Sequence, residues 1–350
     1  MGYKAQGTRH KTKFRLLNYC LLPIAYCLLL LLSSCFKEKP IAAPSNQGRG
    51  QTAVIEMGPD YNDQFFYSLA TNTVLAHNSR FAYDLMFDCD ASKFHIWLNT
   101  AKFMSVRRMN QTNLDSVQLS DTLTLDWHYE LGEFNPDSNA IGNWWNTLSS
   151  EPSTAGKVYL IQLGVDNEGN SFGFVKLQVN NFYGNSYSIT YSDFVHPAQT
   201  ILIAKDGNYN YRYLVLGTGA LLNNIEPPKT EWDLCFTRYS VFFYAPYYIP
   251  YQVTGVLNNP SRTQAYLDST IVFDSIKIGN FNESRLLTRR DAIGYEWKNV
   301  SGLTLGATYS IHQGYVYYVR SDNNKFYKLR FFDFYKGTVK GYPSFEYYEL

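Results

Sequence analysis

From about Ala53 onward, apolar and polar residues alternate or gather into short apolar runs. Turn clusters such as Asp166-Asn167-Glu168-Gly169-Asn170 and Ser321-Asp322-Asn323-Asn324 punctuate them. A period of two puts successive side chains on opposite faces of a strand, and short contiguous runs suit strands buried on both faces. No long segment carries a helical period. The pattern predicts an all-β protein of antiparallel hairpins. Aromatics at 17%, led by 30 Tyr and 23 Phe, fit the same picture because they pack well on pleated surfaces.

The N-terminal segment departs from this pattern. Lys4, Arg9, Lys11, Lys13 and Arg15 precede an apolar run from Leu16 to Leu32, which closes on Ser33-Ser34-Cys35 before Lys37-Glu38-Lys39-Pro40. Basic flank, apolar stretch and small residues before a cut form a secretory signal. A Cys directly after the small pair makes it a lipobox. The alternative, a transmembrane anchor, would rest on about 17 residues broken by Asn18 and Pro23, at the short end of a bilayer span. The expected organisation is a lipoprotein signal peptide over 1–34, a lipidated Cys35, and a polar tether over 35–52 reaching roughly 20–25 Å. Lys37-Glu38 resembles a surface-export signal, so the expected location is the outer membrane, lipid-anchored, on the cell surface.

The strand pattern occurs twice. Tyr83-Asp84-Leu85-Met86-Phe87 matches Trp232-Asp233-Leu234-Cys235-Phe236, and Ile141-Gly142-Asn143-Trp144-Trp145 matches Ile293-Gly294-Tyr295-Glu296-Trp297. Phe174-Val175-Lys176-Leu177 matches Phe326-Tyr327-Lys328-Leu329, Phe182-Tyr183 matches Phe334-Tyr335, and Leu69-Ala70-Thr71 matches Leu216-Gly217-Thr218. Landmarks in one order at nearly constant offset predict two tandem β domains, 53–196 and 197–350, with Asp84 over Asp233 and Trp145 over Trp297. An acid repeated inside apolar strands is expected to fix a strand end by accepting hydrogen bonds.

Charge and cysteine content narrow the function. The chain has 31 basic and 30 acidic residues, and loss of the leader's five basic ones leaves about −4, so no general attraction to nucleic acid is expected. Only Cys89 and Cys235 remain as thiols, both in apolar strands and expected to be buried and free. There is no Cys-x-x-Cys, His-Glu-x-x-His, Gly-x-Ser-x-Gly or Walker loop, and no catalytic role is expected. Asp88 and Asp90 form a carboxylate pair that strand alternation should place on one side, towards solvent.

The Trp232-Asp233-Leu234-Cys235-Phe236 strand, the Ile293-Gly294-Tyr295-Glu296-Trp297 step and the hairpin carrying Tyr327-Lys328-Leu329 and Phe334-Tyr335 resemble the HmuY-like family of outer-membrane lipoproteins. So do Val253-Thr254-Gly255-Val256-Leu257-Asn258-Asn259-Pro260, Tyr317-Tyr318-Val319-Arg320 and Lys340-Gly341-Tyr342-Pro343. The second copy matches more closely than the first. The resemblance implies an all-β fold and, for founding members, haem held by paired His or Met ligands for a TonB-dependent receptor. By that resemblance the ligands come from the stretch after the Trp-Asp strand. Ser240 to Ser310 holds neither His nor Met, and His312 stands alone. The first copy offers His95, Met104, Met109 and His128. Met109 and His128 are the axial candidates, with Arg107 and Arg108 for the haem propionates. The other expectation is a non-haem surface lipoprotein making protein or glycan contacts.

Cys35→Ser should abolish acylation and signal-peptidase II processing, because only a thiol accepts the diacylglyceryl group. Mass spectrometry of the mature N-terminus checks this; an unmodified N-terminus at another position would show the lipobox assignment to be wrong.

Overall fold

The computed structural model describes residues 50–123, 126–146, 153–244, 248–302, 307–322 and 325–350. The leader, Cys35 and the tether up to residue 49 lie outside them. Among the described residues helix is limited to 3-10 turns of three or four residues, and no helix is long and apolar enough to cross a membrane. The fold is all-β and its ladders are antiparallel.

Four sheets carry it. The first outer sheet runs β13 (Gln199–Ala204), β12 (Ser186–Ser192), β11 (Phe174–Tyr183), β10 (Val158–Gln162), β6 (Ser105–Arg108) and β7 (His128–Tyr129). The first inner sheet runs β15 (Ala220–Leu222), β14 (Tyr211–Val215), β4 (Leu85–Asp88) and β5 (Ile96–Leu98). The second inner sheet runs β3 (Thr73–Ser79), β2 (Asp63–Ser68), β16 (Leu234–Phe243) and β17 (Ile249–Asn258). The second outer sheet runs β1 (Gln51–Val54), β23 (Val339–Glu349), β22 (Lys325–Lys336), β21 (Val316–Ser321) and β18 (Gln264–Asp268). Two short ribbons, β8 (Trp145–Asn146) with β9 (Ser153–Thr154) and β19 (Lys298–Ser301) with β20 (Thr308–Ile311), stand apart.

Strand alternation distributes these sheets over three cores. Leu85 and Phe87 face the core shared with the first outer sheet, whereas Met86 between them faces a central core. Leu234 and Phe236 face the second outer sheet, and Cys235 faces the same central core. Each inner sheet is thus apolar on both faces, which explains the contiguous runs in the two landmark strands. Cys89 and Cys235 are buried free thiols, and burial pushes them up to about 11 and about 12. Asp88 departs from expectation. It is 4% exposed and accepts from the Trp97 indole N–H at 2.9 Å, while Asp90 caps the exposed Ser92 turn.

The two halves have corresponding ladders. Leu177 pairs with Tyr159 and Tyr191 as Leu329 pairs with Tyr317 and Tyr347. The bulge between Val179 and Asn181 has its counterpart between Phe331 and Asp333. Gln199-Thr200 lies opposite Tyr191-Thr190 as Gln51-Thr52 lies opposite Tyr347-Glu346. These last pairings locate a departure from the expected layout. β2 and β3 come from the first segment but complete the second pair of sheets, as does β1, whose Gln51 and Thr52 fall in the expected tether yet pair with Tyr347 and Glu346; β13, β14 and β15 come from the second segment but complete the first. A cut at 196/197 therefore separates hydrogen-bonded neighbours β12 and β13, and the described residues form one compact unit.

Asp84 and Asp233 fasten the exchanged strands. Asp84 accepts from the Leu216 N–H at 2.8 Å and pairs with Lys102. Asp233, 0% exposed, accepts from the Leu69 N–H at 2.7 Å, from Arg262 Nε at 2.8 Å and from the Ser321 hydroxyl at 2.5 Å. The tryptophans correspond less simply. Trp297 is buried and stacks on Phe331 at 4.0 Å, while the fully buried side chain of the first half is Trp144 and Trp145 is only partly covered. Gly142 to Trp144 is one residue shorter than Gly294 to Trp297, which shifts the indole that enters the core.

Asp233→Ala should destabilise by roughly 3–5 kcal/mol, since it leaves the Arg262 guanidinium and the Leu69 N–H without their acceptor. Urea denaturation is the measurement; a loss under about 1 kcal/mol would show that the acid does not hold the exchanged strand.

Candidate functional site

The halves differ most in one hairpin. β4–β5 pairing ends at Phe87 opposite Ile96. The matching register in β16–β17, Phe236 opposite Val256, is followed by seven further pairs, out to Phe243 opposite Ile249. The added arm is aromatic, buried in its inner part and uncovered at its outer end. Tyr244, Tyr248 and Tyr251 are 75%, 61% and 51% exposed, and Phe242 stacks on Tyr248 at 4.1 Å. A monomeric protein seldom leaves such a patch in water without a use for it.

A cavity of about 370 Å³ opens at the base of this arm. Val241, Phe242 and Tyr244 form one wall, Leu131, Gly132 and Glu133 a second, and Arg289 to Glu296 the third, with Leu267 and Tyr317 beneath. Close backbone contacts set its shape. The Gly132 N–H donates to Ser240 O at 2.9 Å, and a Cβ on Gly132 would lie 2.1 Å from the Tyr239 ring. Gly294 has φ +68 and exchanges both backbone hydrogen bonds with Val256, at 2.9 and 3.1 Å. A Cβ on Gly294 would also lie 2.9 Å from Asp291 O, so the position favours glycine.

The lining is aromatic and acidic. Three carboxylates, Glu133, Asp291 and Glu296, face one guanidinium, Arg289. Arg289 Nε lies 3.0 Å from Asp291 Oδ1 without hydrogen-bond alignment, so that oxygen has no donor among the described residues. Burial raises the Asp291 carboxyl above its ordinary value; Arg289 opposes the rise, and Glu133 and Glu296 add to it. Tyr317 is 1% exposed, and its hydroxyl has no hydrogen-bond partner among the described residues. Burial, then the charge on Glu296, holds that phenol far above its usual range. An unsatisfied buried hydroxyl on a cavity floor costs free energy until water or a ligand pairs with it.

The residues singled out from sequence lie elsewhere. Met109 is 5% exposed and packed with Leu114, Val117, Val158 and Leu160. His128 is on the short strand β7 with its side chain 48% exposed, 4.0 Å from Asp126. Neither lines the cavity. Arg107 donates to Asp121 O, and Arg108 donates to Asn139 O at 2.7 Å and Ala140 O at 3.0 Å. Met57, Met86 and Met104 are buried in the three cores. His95 is held by Asp88 at 3.0 Å, and His312 stacks on Tyr315. Leu267, Tyr317 and the Glu133–Asp291–Glu296 group were missed. The one signal available was the aromatic density of Val241 to Tyr251.

Residues 191–347 match the HmuY protein family. The matched segment runs from the end of β12 into β23 and includes the long hairpin, Arg289 to Glu296, and Tyr317. The chain is also similar to solved structures at low identity. Apo PinO from Porphyromonas gingivitis is 8% identical with a TM-score of 0.30, covering 87% of this chain and 99% of that one. A Bacteroides fragilis NCTC 9343 protein described as a lipoprotein is 11% identical with a TM-score of 0.23, covering 87% and 92%. A Bacteroides vulgatus ATCC 8482 protein described as HmuY-like and haem-binding is 11% identical with a TM-score of 0.24, covering 88% and 97%. No curated protein matches the sequence.

The loop 130–133 that walls the cavity is anchored by Glu130, which accepts from Asn139 Nδ2 at 2.8 Å and Ala140 N at 3.2 Å. Burial raises this carboxyl to about 8, opposed by backbone N–H groups and Arg108. The folded state therefore binds the extra proton between the ordinary carboxylate range and about pH 8, and stability falls as pH rises through that window. Glu130→Gln should flatten this slope and stabilise the protein at pH 8 relative to wild type. Melting temperatures across pH 4.5–8 measure it; an unchanged slope would place the titration elsewhere.

Proposed function

We propose that this chain is a lipid-anchored outer-membrane protein that captures a small ligand at the cell surface, in the cavity under the β16–β17 hairpin. The observation carrying this reading is the buried Tyr317 hydroxyl, without a hydrogen-bond partner among the described residues, on the floor of an aromatic-walled space. A concave site that joins aromatic walls to a few converging polar groups is a usual form of small-molecule pocket. The lipobox at Cys35 supplies the anchor, and the tether gives the domain reach above the membrane. Delivery to a TonB-dependent receptor is the step that the family resemblance adds. Binding, not catalysis, is the activity that these residues support.

Haem is the second reading, favoured by the HmuY match over 191–347. The chemistry of the cavity argues against it there. Among the described residues no His or Met lines the space, which leaves tyrosine as its iron ligand, and its carboxylates outnumber its guanidinium by three to one, which repels propionates. Haem would instead call on Met109 and His128, with Arg107 and Arg108 at the propionates, and Met109 would have to leave its packed cluster.

Hemin titration into the mature chain is expected to give no low-spin Soret band, in ferric or ferrous form. A low-spin band lost in both Met109→Ala and His128→Ala would establish haem capture in the first half and displace the cavity as the functional site.

A further inference from the structure

We propose that the two halves contain the same pocket in two conditions: the first carries the chain's own Arg108 on its wall, and the second, without it, is open to an organic cation from outside. This rests on the cavity being the capture site. The equivalence follows from register. Arg108 lies opposite Tyr159 in β6–β10, as Leu267 lies opposite Tyr317 in β18–β21. Ile141-Gly142 and Ile293-Gly294 line the two spaces, and both glycines have positive φ, +76 and +68.

In the first half the space is about 210 Å³ and is bordered by Arg108 itself. Its guanidinium hydrogen-bonds to Asn139 O and Ala140 O, and a Cβ on Gly142 would lie 2.9 Å from its Cζ. Burial pushes up both the Tyr159 phenol and the Glu130 carboxyl, and in each case the charge on Arg108 pulls back. Arg108 beside the buried Tyr159, with Lys157 also at the border, makes a cation a built part of this pocket.

In the second half Leu267 stands at the position of Arg108, and the space widens to about 370 Å³. The guanidinium of the first space is replaced by an apolar side chain, and carboxylates that the first lining lacks stand around the wider one. Glu133, Asp291 and Glu296 exceed Arg289 by two charges, Asp291 Oδ1 lacks a donor, and so does the Tyr317 hydroxyl lack a partner. Phe242, Tyr244 and Tyr295 present ring faces and edges to the same space. Carboxylates with aromatic walls favour a guanidinium or ammonium group, through charge-assisted hydrogen bonds and cation–π attraction.

The test is calorimetric titration of the mature, detergent-held lipoprotein with agmatine, maltose and hemin. Agmatine should bind, and its affinity should fall at least tenfold in Leu267→Arg, which supplies the second half with the guanidinium of the first. Leu267→Met should bind as wild type does. If Leu267→Arg fails to fold, Tyr317→Phe serves instead, with affinity expected to drop several-fold and the melting temperature maintained. Binding of maltose or hemin but not agmatine, sensitive to Leu267→Arg, overturns the cation assignment while the capture site stands. Agmatine affinity unchanged in a folded Leu267→Arg or Tyr317→Phe overturns the equivalence of the pockets. No binding of any probe to wild type overturns the inference outright; the capture reading fails separately, through a haem band that depends on Met109 and His128.

Discussion

The structure depends on two buried aspartates, each holding a strand end delivered by the opposite segment. Asp84 accepts from the N–H of Leu216, and Asp233 from that of Leu69. Both also face a cation, Lys102 or Arg262, so charge is compensated where the dielectric is low. Around each acid an Asn repeats the arrangement: Asn99 and Asn259 donate their amides to the carbonyls just before the landmark strand. Strand exchange is secured by polar groups because apolar surface alone would not distinguish one copy's strand from the other's.

This exchange explains why the central core cannot be an afterthought between two finished domains. Each inner sheet contains strands from both segments and buries both faces. Phe66, Trp232 and Cys235 from one inner sheet meet Met86, Trp97 and Tyr213 from the other in one cluster. Removing either segment would leave a sheet without its partner strands and an apolar face in water, which is costly at about 25 cal/mol per Å². The halves were consequently free to diverge only at their far ends, where the long hairpin and the Arg108/Leu267 position lie.

The strands and the buried acids were legible in sequence because they follow local rules. Alternation predicted the pairing faces, and repetition of Asp84 as Asp233 predicted a structural acid. Partner choice was not legible. Gln51-Thr52 and Gln199-Thr200 present the same pattern to either outer sheet, so register alone leaves the exchange undetermined. Met109 was misleading for a similar reason. Its neighbours Arg107, Arg108, Asn110 and Gln111 look like a loop, but Val158 and Leu160, fifty residues away in sequence, bury its side chain. The Arg108–Leu267 match was hidden because their offset differs from the 152-residue spacing of the later landmarks. Asp88 was assigned to solvent by alternation, yet Trp97 and His95 cover it.

The same constraint determines which part of the site can move. β16 is the third strand of a four-stranded sheet at Leu234 to Phe236, gripped by β2 on one side and β17 on the other. Beyond that point only β17 pairs with it, and the arm is held from below by the Gly132 N–H to Ser240 O bond, by the Ser240 hydroxyl on Thr100 O and by the Gln252 amide on Thr100 O and Ala101 O. A two-stranded arm is weakly stable by itself, so opening concentrates past Ser240, in the part that carries Phe242 and Tyr244. The floor behaves differently. Tyr317 lies in β21, flanked by β18 and β22, and Gly294 is tied to Val256 by two backbone bonds. The floor is thus tied on both sides by backbone pairing and the outer wall on one, so a displacement of that wall would leave the exchanged strands in place.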